Sequence, residues 1–311
     1  MGKNAIIQTA MKDTNELLKE VEQKRHETLV DFCSALFFMT LFAVLGLCIM
    51  GIWGGDESLN VYLRYFLLIL GAVLFLIVAP LLLRVAFQIR RHYLDYFYAS
   101  ITPQLTKGEY RSFSFIRRPE RKMLTMPLRK VLSCTPELDG DSFFKGEVEG
   151  ATFYSFGYSY AAKSGNRTFE AEGRYIEFTL NTSFPFELII KDRRSASYYK
   201  KKPLLLRLKS DSSSFDDVHD VTADEEVPGL NLLSPFLVQG INCLNIRYRA
   251  KLSVHINGNK VQVYVDDCPW RYHASLFEEL TPAKFAHLKE EALLPYAVYL
   301  GLGLDSSFYS I

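Results

Sequence analysis

The chain has 311 residues, of which 49% are hydrophobic and 14% aromatic, and its 36 Lys and Arg residues nearly balance its 35 Asp and Glu residues. A nucleic-acid-binding protein usually carries a strong basic excess, so this balance argues against nucleic acid as a partner. The five cysteines stand at wide spacings without a CxxC pair, so neither a disulfide framework nor a zinc knuckle is expected.

The N-terminal part contains two long uncharged runs, residues 32–53 and 65–83. They hold 22 and 19 residues, and about 20 apolar residues cross a hydrocarbon core of roughly 30 Å. Core helices of soluble proteins rarely run this long without a polar face, so we interpret both runs as transmembrane helices. Neither run contains the ionisable groups that ion pathways and proton relays need, so the pair is expected to act as an anchor.

The basic residues around these runs predict their orientation. Before the first run lie Lys12, Lys19, Lys24 and Arg25, and after the second lie Arg84, Arg90 and Arg91. The connecting loop contains a single basic residue, Arg64, together with Asp56 and Glu57. Because Lys and Arg concentrate on the cytoplasmic side of membrane helices, both termini are predicted to be cytoplasmic.

Four segments follow from this pattern. Residues 1–31 are predicted to form a cytoplasmic helix with an N-cap motif at Asp13, and residues 32–83 a transmembrane hairpin. Residues 84–108 are expected to form a juxtamembrane helix that Pro103 ends or kinks, and residues 109–311 a soluble domain. Within the hairpin, Pro80 is a possible kink. Gly51 and Gly55 have the spacing of a helix-pairing motif but lie where a turn is the simpler interpretation.

The soluble part is rich in strand signals. Residues 142–191 are dense in aromatic and β-branched residues, with breaks at Glu149-Gly150, Ser164-Gly165 and Pro185, which predicts an antiparallel meander. The tyrosines could stack on a carbohydrate or a base, but alternating faces of a half-buried sheet are the simpler interpretation. Residues 203–208 are predicted to form another strand.

Helix starts and a second hairpin complete the pattern. Ser234-Pro235 and Thr281-Pro282 each predict a helix start, and Pro295 should interrupt the second of these helices. Residues 251–265 predict a hairpin with Asn257-Gly258 at its turn. The predicted fold class is therefore membrane-anchored α+β: two N-terminal transmembrane helices followed by a soluble domain with a mainly antiparallel sheet and flanking helices.

In this order of elements the chain resembles the bacterial membrane family known as domain of unknown function 3137. The segments that carry the resemblance are Gly173–Asp192, Val221–Asp224, Leu232–Phe236, Asn257–Val265 and Leu276–Glu278. The chain departs from the family at Gly229-Leu230-Asn231, where the family tends to have Ala-Arg-Tyr. The resemblance implies a bacterial inner membrane and this architecture, but it implies no reaction.

The ionisable clusters do not form a recognised catalytic or metal motif. Asp266, Asp267, Cys268 and His273 are too few and too close in sequence for a closed zinc site, so strand-end polar residues are the simpler interpretation. Asp216–Glu226 gathers carboxylates around His219, as acid–base catalysis or a calcium loop would need, but a solvated acidic loop is preferred. The common nucleotide-binding, hydrolase and metalloprotease motifs are absent, so no catalytic residue, cofactor or metal is predicted.

Two basic clusters are the candidate binding residues. One surrounds residues 117–130 and the other residues 191–202. Near an anionic leaflet each cation contributes about 1 kcal/mol, although solvated loops would explain them equally. The predicted contacts with anionic lipid are Arg117, Arg118, Arg121, Lys122, Lys200, Lys201 and Lys202.

These predictions converge on a non-enzymatic, membrane-tethered interaction or regulatory module. Its expected partners are membrane lipids or another membrane protein, and its expected location is the bacterial inner membrane, as a multi-pass protein. The alternative is a membrane-anchored enzyme that acts on lipid or peptide substrates through Asp216–Glu226.

Overall fold

The structure is a computed structural model that describes residues 3–53, 60–116, 137–164, 167–195, 205–267 and 275–304. The chain divides into two compact units. The first contains Met1–Ile101 and Ala274–Phe285, and the second contains Thr102–His273 and Ala286–Ile311.

The first unit is built on two long helical rods, as predicted. The first rod is α1 (Lys3–Cys48) with a π-helical turn (Ile49–Trp53). The second is α2 (Val61–Val73), a π-helical turn (Leu74–Val78), α3 (Ala79–Tyr96), a further π-helical turn (Phe97–Ile101) and α4 (Thr102–Leu105), the last of which belongs to the second unit. Residues Asn15–Ile52 and Val61–Leu105 are both long and apolar enough to cross a membrane.

The first helix begins before the predicted N-cap at Asp13. It starts at Lys3, ten residues before the capping motif at Asp13, so the predicted N-cap is wrong. The residues before Asp13 include no proline and are mostly good helix formers, and a helix propagates through one weak position once it has nucleated. The prediction that a helix leads into the first apolar run is confirmed.

Each proline of the second rod follows a π-helical turn. Proline has no N–H to donate to the carbonyl four residues back, which belongs to Leu76 for Pro80 and to Ala99 for Pro103. Both of those carbonyls lie in π-helical turns, where hydrogen bonding already shifts to a wider spacing. The helical rod therefore continues through Pro80 and ends two residues beyond Pro103.

A glycine contact lets the two rods approach closely. A Cβ atom at Gly46 would lie 2.7 Å from the carbonyl oxygen of Gly71, and a Cβ at Gly71 would lie 2.7 Å from that of Gly46. Such backbone contact through small residues is typical of packed membrane helices. Gly51 lies in a π-helical turn, and a Cβ atom there would meet no described atom within 4 Å. Gly55 lies outside the described residues.

The second unit contains an antiparallel sheet with helices, which confirms the predicted α+β character. Its strands are β1 (Ser112–Ile116), β2 (Glu137–Val148), β3 (Ala151–Ser164), β4 (Arg167–Asp192), β5 (Leu206–Leu208), β6 (His219–Ala223) and β7 (Lys251–Asp266). Their order is β1-β2-β3-β4-β6-β5, with β7 also paired to β4. The predicted meander corresponds to β2, β3 and β4, and Glu149 and Gly150 supply the two positive φ angles, 45° and 89°, at its first turn.

Strands β4 and β7 are the two longest strands, and each changes direction along its length. The pairing of β4 with β7 shifts register on either side of Phe184, next to the predicted break at Pro185. Strand β7 turns at Gly258, where φ is 60°. Its two ends meet through an ion pair between Lys251 and Asp267. The predicted turn at Asn257-Gly258 is therefore confirmed.

Five further helices belong to the C-terminal part of the described chain: α5 (Ser213–Val218), α6 (Glu226–Leu232), α7 (Pro235–Tyr248), α8 (Pro282–Ala292) and α9 (Leu294–Gly301). The predicted start of α7 is confirmed, because the Ser234 hydroxyl accepts a hydrogen bond from Leu237 N at 3.3 Å. The predicted interruption at Pro295 is also confirmed, because α8 ends at Ala292 and α9 begins at Leu294.

The sheet has one apolar face and one mixed face, because successive strand residues alternate in direction. The core face carries side chains such as Phe153, Ile176 and Phe178, and the ring of Tyr299 on α9 lies 5.8 Å from that of Phe178. We call the opposite face the polar face. It carries Tyr154 and Glu177, which are directly opposite each other on β3 and β4. This alternation accounts for the tyrosines that the sequence left open to a stacking role.

Candidate functional site

A row of polar side chains crosses the polar face. Glu177 on β4 lies directly opposite Tyr154 on β3 and Gln262 on β7. Gln262 donates to Glu177 Oε2 at 2.7 Å, and its own Oε1 lies 3.0 Å from His255 Nδ1. His255 Nε2 lies 2.7 Å from Glu187 Oε1. We call these five residues the polar row.

Glu177 is the buried centre of the polar row. Its carboxylate accepts hydrogen bonds from Lys260 Nζ at 2.6 Å, from Gln262 and from Tyr175 OH at 2.7 Å. Burial alone would raise the pKa of Glu177, but these hydrogen bonds outweigh it and hold the pKa below its ordinary value. A carboxylate with this many donors is stabilised as an anion, so it is poorly suited to serve as a general base.

A second cluster of polar groups lies at the end of β4. Asp192 is fully buried, and its carboxylate accepts hydrogen bonds from the Arg194 backbone at 2.8 Å and from the Arg194 guanidinium at 2.6 and 3.0 Å. The Asp192 N–H donates to Ser253 Oγ at 3.1 Å. The arrangement holds Arg194 back against the strand from which it leaves.

His219 lies beside Asp192 without pairing to it. Its Nδ1 is 3.2 Å from the carbonyl oxygen of Phe215, and its ring stacks on the Phe215 ring at 4.1 Å. Its Nε2 is 3.9 Å from Asp192 Oδ2 and has no hydrogen-bond partner among the described residues. Burial lowers the pKa of His219, so the ring is neutral at physiological pH.

Serine, histidine and aspartate thus occur together here, but not as a catalytic triad. The hydroxyl of Ser195 bonds to the carboxylate of Asp266, as does the hydroxyl of Tyr158. A triad needs the serine hydroxyl on the histidine, whereas the described hydrogen bond of His219 goes to a backbone carbonyl. Asp266 was predicted to be a strand-end polar residue, and it ends β7 in a buried position.

The core face buries one cation and one carboxyl group. Arg174 donates to Ser155 Oγ at 2.8 Å, and its guanidinium lies 4.4 Å from the centre of the Phe144 ring. Glu291 on α8 is 1% exposed, and neither carboxyl oxygen has a hydrogen-bond partner among the described residues. Burial raises the pKa of Glu291 to about 7, although the charge of Arg174 opposes the rise.

Sequence analysis did not single out Arg174, Glu177 or Glu291. A signal for Arg174 was present, since strand alternation places it on the same face as Ile176 and Phe178. An arginine in an apolar series indicates a buried, partnered cation. No comparable signal marks Glu291, because its burial depends on how α8 packs and not on a local pattern.

The acidic region Asp216–Glu226 was predicted to be a solvated loop; it is not a loop, although Asp217, Asp224, Glu225 and Glu226 are exposed. It forms the end of α5, strand β6 and the start of α6. Asp216 accepts from Ser210 N at 3.0 Å, Asp220 from Arg207 at 2.8 Å, and Asp224 from Glu187 N at 2.7 Å. These three carboxylates hold turns and strand ends.

The predicted lipid-contact residues lie outside the described residues: Arg117, Arg118, Arg121, Lys122, Lys200, Lys201 and Lys202. Part of the second basic cluster is described, including Arg193 and Arg194, of which Arg194 pairs with Asp192. Arg193 and Arg207 both bond to Asp220, at 2.9 and 2.8 Å. Within the described ranges, no group of three or more His, Cys, Asp or Glu residues could hold a metal ion.

No family model matches the chain, so the resemblance to domain of unknown function 3137 stays a prediction. No curated protein matches it either. Among solved structures, the crystal structure of the mycobacterial trehalose monomycolate transport factor A matches with a TM-score of 0.36 and 8% identity, over 65% of this chain and 93% of that chain. A similarity this low carries no argument about the present protein.

Proposed function

We propose that the chain is an integral membrane protein whose two helical rods anchor a non-enzymatic interaction or regulatory domain. The observation that carries the proposal is the apolar surface of the rods. Large side chains such as Phe37 and Leu76 are 63% and 66% exposed. In water such exposure is unfavourable by roughly 25 cal/mol per Å² of apolar surface, whereas lipid is a suitable solvent for it. The contact between Gly46 and Gly71 supports the same proposal.

The polar clusters of the second unit favour a binding domain over the alternative enzyme. In the polar row, Glu177 and His255 are held by their neighbours. In the acidic region on which the enzyme alternative depends, Asp216, Asp220 and Asp224 hold turns and strand ends. A catalytic acid or base must reach a substrate proton, and these groups are committed to structural hydrogen bonds.

We further propose that the protein resides in a bacterial inner membrane with both termini in the cytoplasm. The basic residues that flank the two apolar runs support this orientation. Anionic lipid headgroups, or another membrane protein, are the proposed partners. The proposed lipid contacts are the seven residues predicted from the sequence, since a tethered domain keeps its basic loops near the leaflet: Arg117, Arg118, Arg121, Lys122, Lys200, Lys201 and Lys202.

Membrane extraction tests the anchor. We expect the full-length protein to stay with the membrane pellet in alkaline carbonate and in high salt, and to be released only by detergent. A peripheral membrane protein of the same cells, released by carbonate, provides the control. Recovery of the full-length chain in the carbonate supernatant would contradict the anchor and with it the proposed function.

A further inference from the structure

The segment Ser275–Thr281, which we call the strap, belongs to the first unit although it comes late in the chain. Two hydrogen bonds tie its backbone to α1. Arg25 donates to the carbonyl oxygen of Leu276 at 3.0 Å, and Leu280 N donates to Glu22 Oε2 at 3.1 Å. Leu276 and Leu280 are buried, which fixes the course of the strap along the helix.

Phe277 is the large apolar side chain of the strap that is exposed. Phe277 is 54% exposed, although it lies between two buried leucine anchors of the strap. Its ring meets the ring of Phe32 edge to face, with centroids 5.3 Å apart. On the other rod, the guanidinium carbon of Arg90 lies 5.9 Å from the Phe277 ring centre. Phe277 therefore contacts a residue of each rod.

The positions of Phe32 and Arg90 in the sequence indicate the depth of Phe277 relative to the two apolar runs. Phe32 is the first residue of the uncharged run 32–53. Arg90 comes seven residues after Leu83, the last residue of the run 65–83, which is about 10 Å farther along a helix that rises 1.5 Å per residue. The interfacial layer on each side of a bilayer is roughly 5–8 Å thick. Arg90 therefore lies just beyond the outer edge of this layer and Phe32 at its inner edge. Phe277 contacts both residues and so lies between these edges, as an interfacial aromatic residue does.

We propose that Phe277 inserts into the interfacial layer of the bilayer, so that the strap is a third membrane contact supplied by the C-terminal part of the chain. This inference rests on the proposed membrane anchor. Of the two acidic neighbours of Phe277, Glu278 pairs with Lys284. The occupant of the exposed ring face is lipid, at the level of the headgroups and the first acyl carbons.

Tryptophan reporters test the depth directly. The background is the full-length chain with its two native tryptophans, Trp53 and Trp270, replaced by phenylalanine. Phe277→Trp is the test variant and keeps an aromatic ring on Phe32. Phe37→Trp, five residues into the first apolar run, reports the hydrocarbon. Lys19→Trp, an exposed position 13 residues before Phe32 and so about 20 Å outside the run, reports water.

Each variant is reconstituted into phosphatidylcholine–phosphatidylglycerol vesicles with and without lipids brominated near the top of the acyl chain. We expect Phe277→Trp to emit at shorter wavelength than Lys19→Trp and to lose fluorescence to brominated lipid, whereas Lys19→Trp loses none. Two results would overturn the inference: emission and quenching equal to those of Lys19→Trp, or a short-wavelength emission that brominated lipid does not quench, which would indicate a protein contact. If Phe37→Trp also escapes quenching, the membrane anchor itself fails; if only Phe277→Trp escapes, the anchor stands and the strap contact fails.

Discussion

At the scale of single residues, two buried carboxyl groups of the second unit differ in their hydrogen-bond partners. Glu177 accepts from Lys260, Gln262 and Tyr175 and has a lowered pKa. Glu291 has no hydrogen-bond partner among the described residues and has a raised pKa. A buried carboxyl group that lacks donors is favoured as the neutral acid. The two groups should therefore influence stability in opposite directions as the pH changes.

We expect Glu291 to make the protein less stable as the pH rises. The pKa is about 7 in the folded protein, against an ordinary value of 4.5. Between these values the folded state binds more protons than the unfolded state, so the free energy of unfolding falls from about pH 4.5 upward and levels off above about pH 7. At about 1.4 kcal/mol per pKa unit the loss reaches about 3 kcal/mol at neutral to basic pH.

Glu291→Gln removes this titration while preserving the shape of the side chain. Unfolding of the detergent-solubilised full-length protein, measured from pH 5 to pH 8, should show a weaker fall with pH in this variant and higher stability at pH 8. Glu290→Gln, at the exposed neighbouring position, serves as the matched control and should behave as the parent does. A parental pH dependence in Glu291→Gln would show that another group causes the fall.

At the scale of elements, the strap depends on one ion pair of α1. Glu22 holds Arg25 through hydrogen bonds of 2.9 Å while it accepts from Leu280 N, so both backbone anchors of the strap share this pair. Glu22→Gln removes the charge and puts an NH2 group, which donates but cannot accept, in place of one carboxylate oxygen. One of the two bonds therefore loses its acceptor and the other becomes neutral on the Gln side, a loss of about 1–3 kcal/mol. We expect amide hydrogen exchange in the strap to accelerate severalfold, as measured by mass spectrometry of the peptide that contains Leu280.

Glu27→Gln provides the control for the strap. Glu27 lies on the same helix, is exposed, and contacts side chains of α1 in the described structure, among them Gln23 at 3.1 Å. Amide hydrogen exchange of the strap in Glu27→Gln should match that in the parent protein. Unchanged exchange at Leu280 in Glu22→Gln would mean that burial of the two leucines alone retains the strap.

Elements with a local signal were predictable from the sequence. Three such elements are determined by a few neighbouring residues, and the structure contains all of them: the uncharged runs, the helix start at Ser234-Pro235 and the aromatic strands. The strap could not be predicted, because its fixing contacts join residues 251 and 258 positions apart. Asp216–Glu226 was wrongly predicted to be a loop, because the sequence shows the same density of carboxylates whether they lie in a loop or bond to strand ends.

The chemistry of the candidate site was harder to predict from the sequence than the fold. The basic clusters that the sequence favoured rest on composition, and composition does not say which cations share a surface. Asp220 illustrates the problem, because it binds both Arg193 and Arg207, which no spacing rule connects. The burial of Arg174 follows from alternation within its own strand, but its partner Ser155 on β3 is known only once the register is known.

At the scale of the whole molecule, the distribution of charge fixes how the chain should sit in a membrane. The net charge is only +1, yet basic residues concentrate on one side of the two apolar runs. Orientation depends on this local bias near the helix ends and not on net charge. The large second unit and the N-terminal part of α1 are therefore expected on the same side, the cytoplasm.

Reporter fusions and thiol labelling test this orientation in a bacterial host. Fluorescent protein fused after Ile311 should fluoresce, and alkaline phosphatase fused there should be inactive, because the phosphatase matures only in the periplasm. A cysteine placed at Ser58, in the short loop between the two runs, should react with a membrane-impermeant thiol reagent in intact cells. As the matched control, Asp56→Lys with Glu57→Lys adds two cations to that loop and should give a mixed orientation, since Lys and Arg near helix ends determine topology. Active phosphatase at Ile311 together with an unlabelled Ser58 cysteine would reverse the proposed orientation and place the second unit on the periplasmic side.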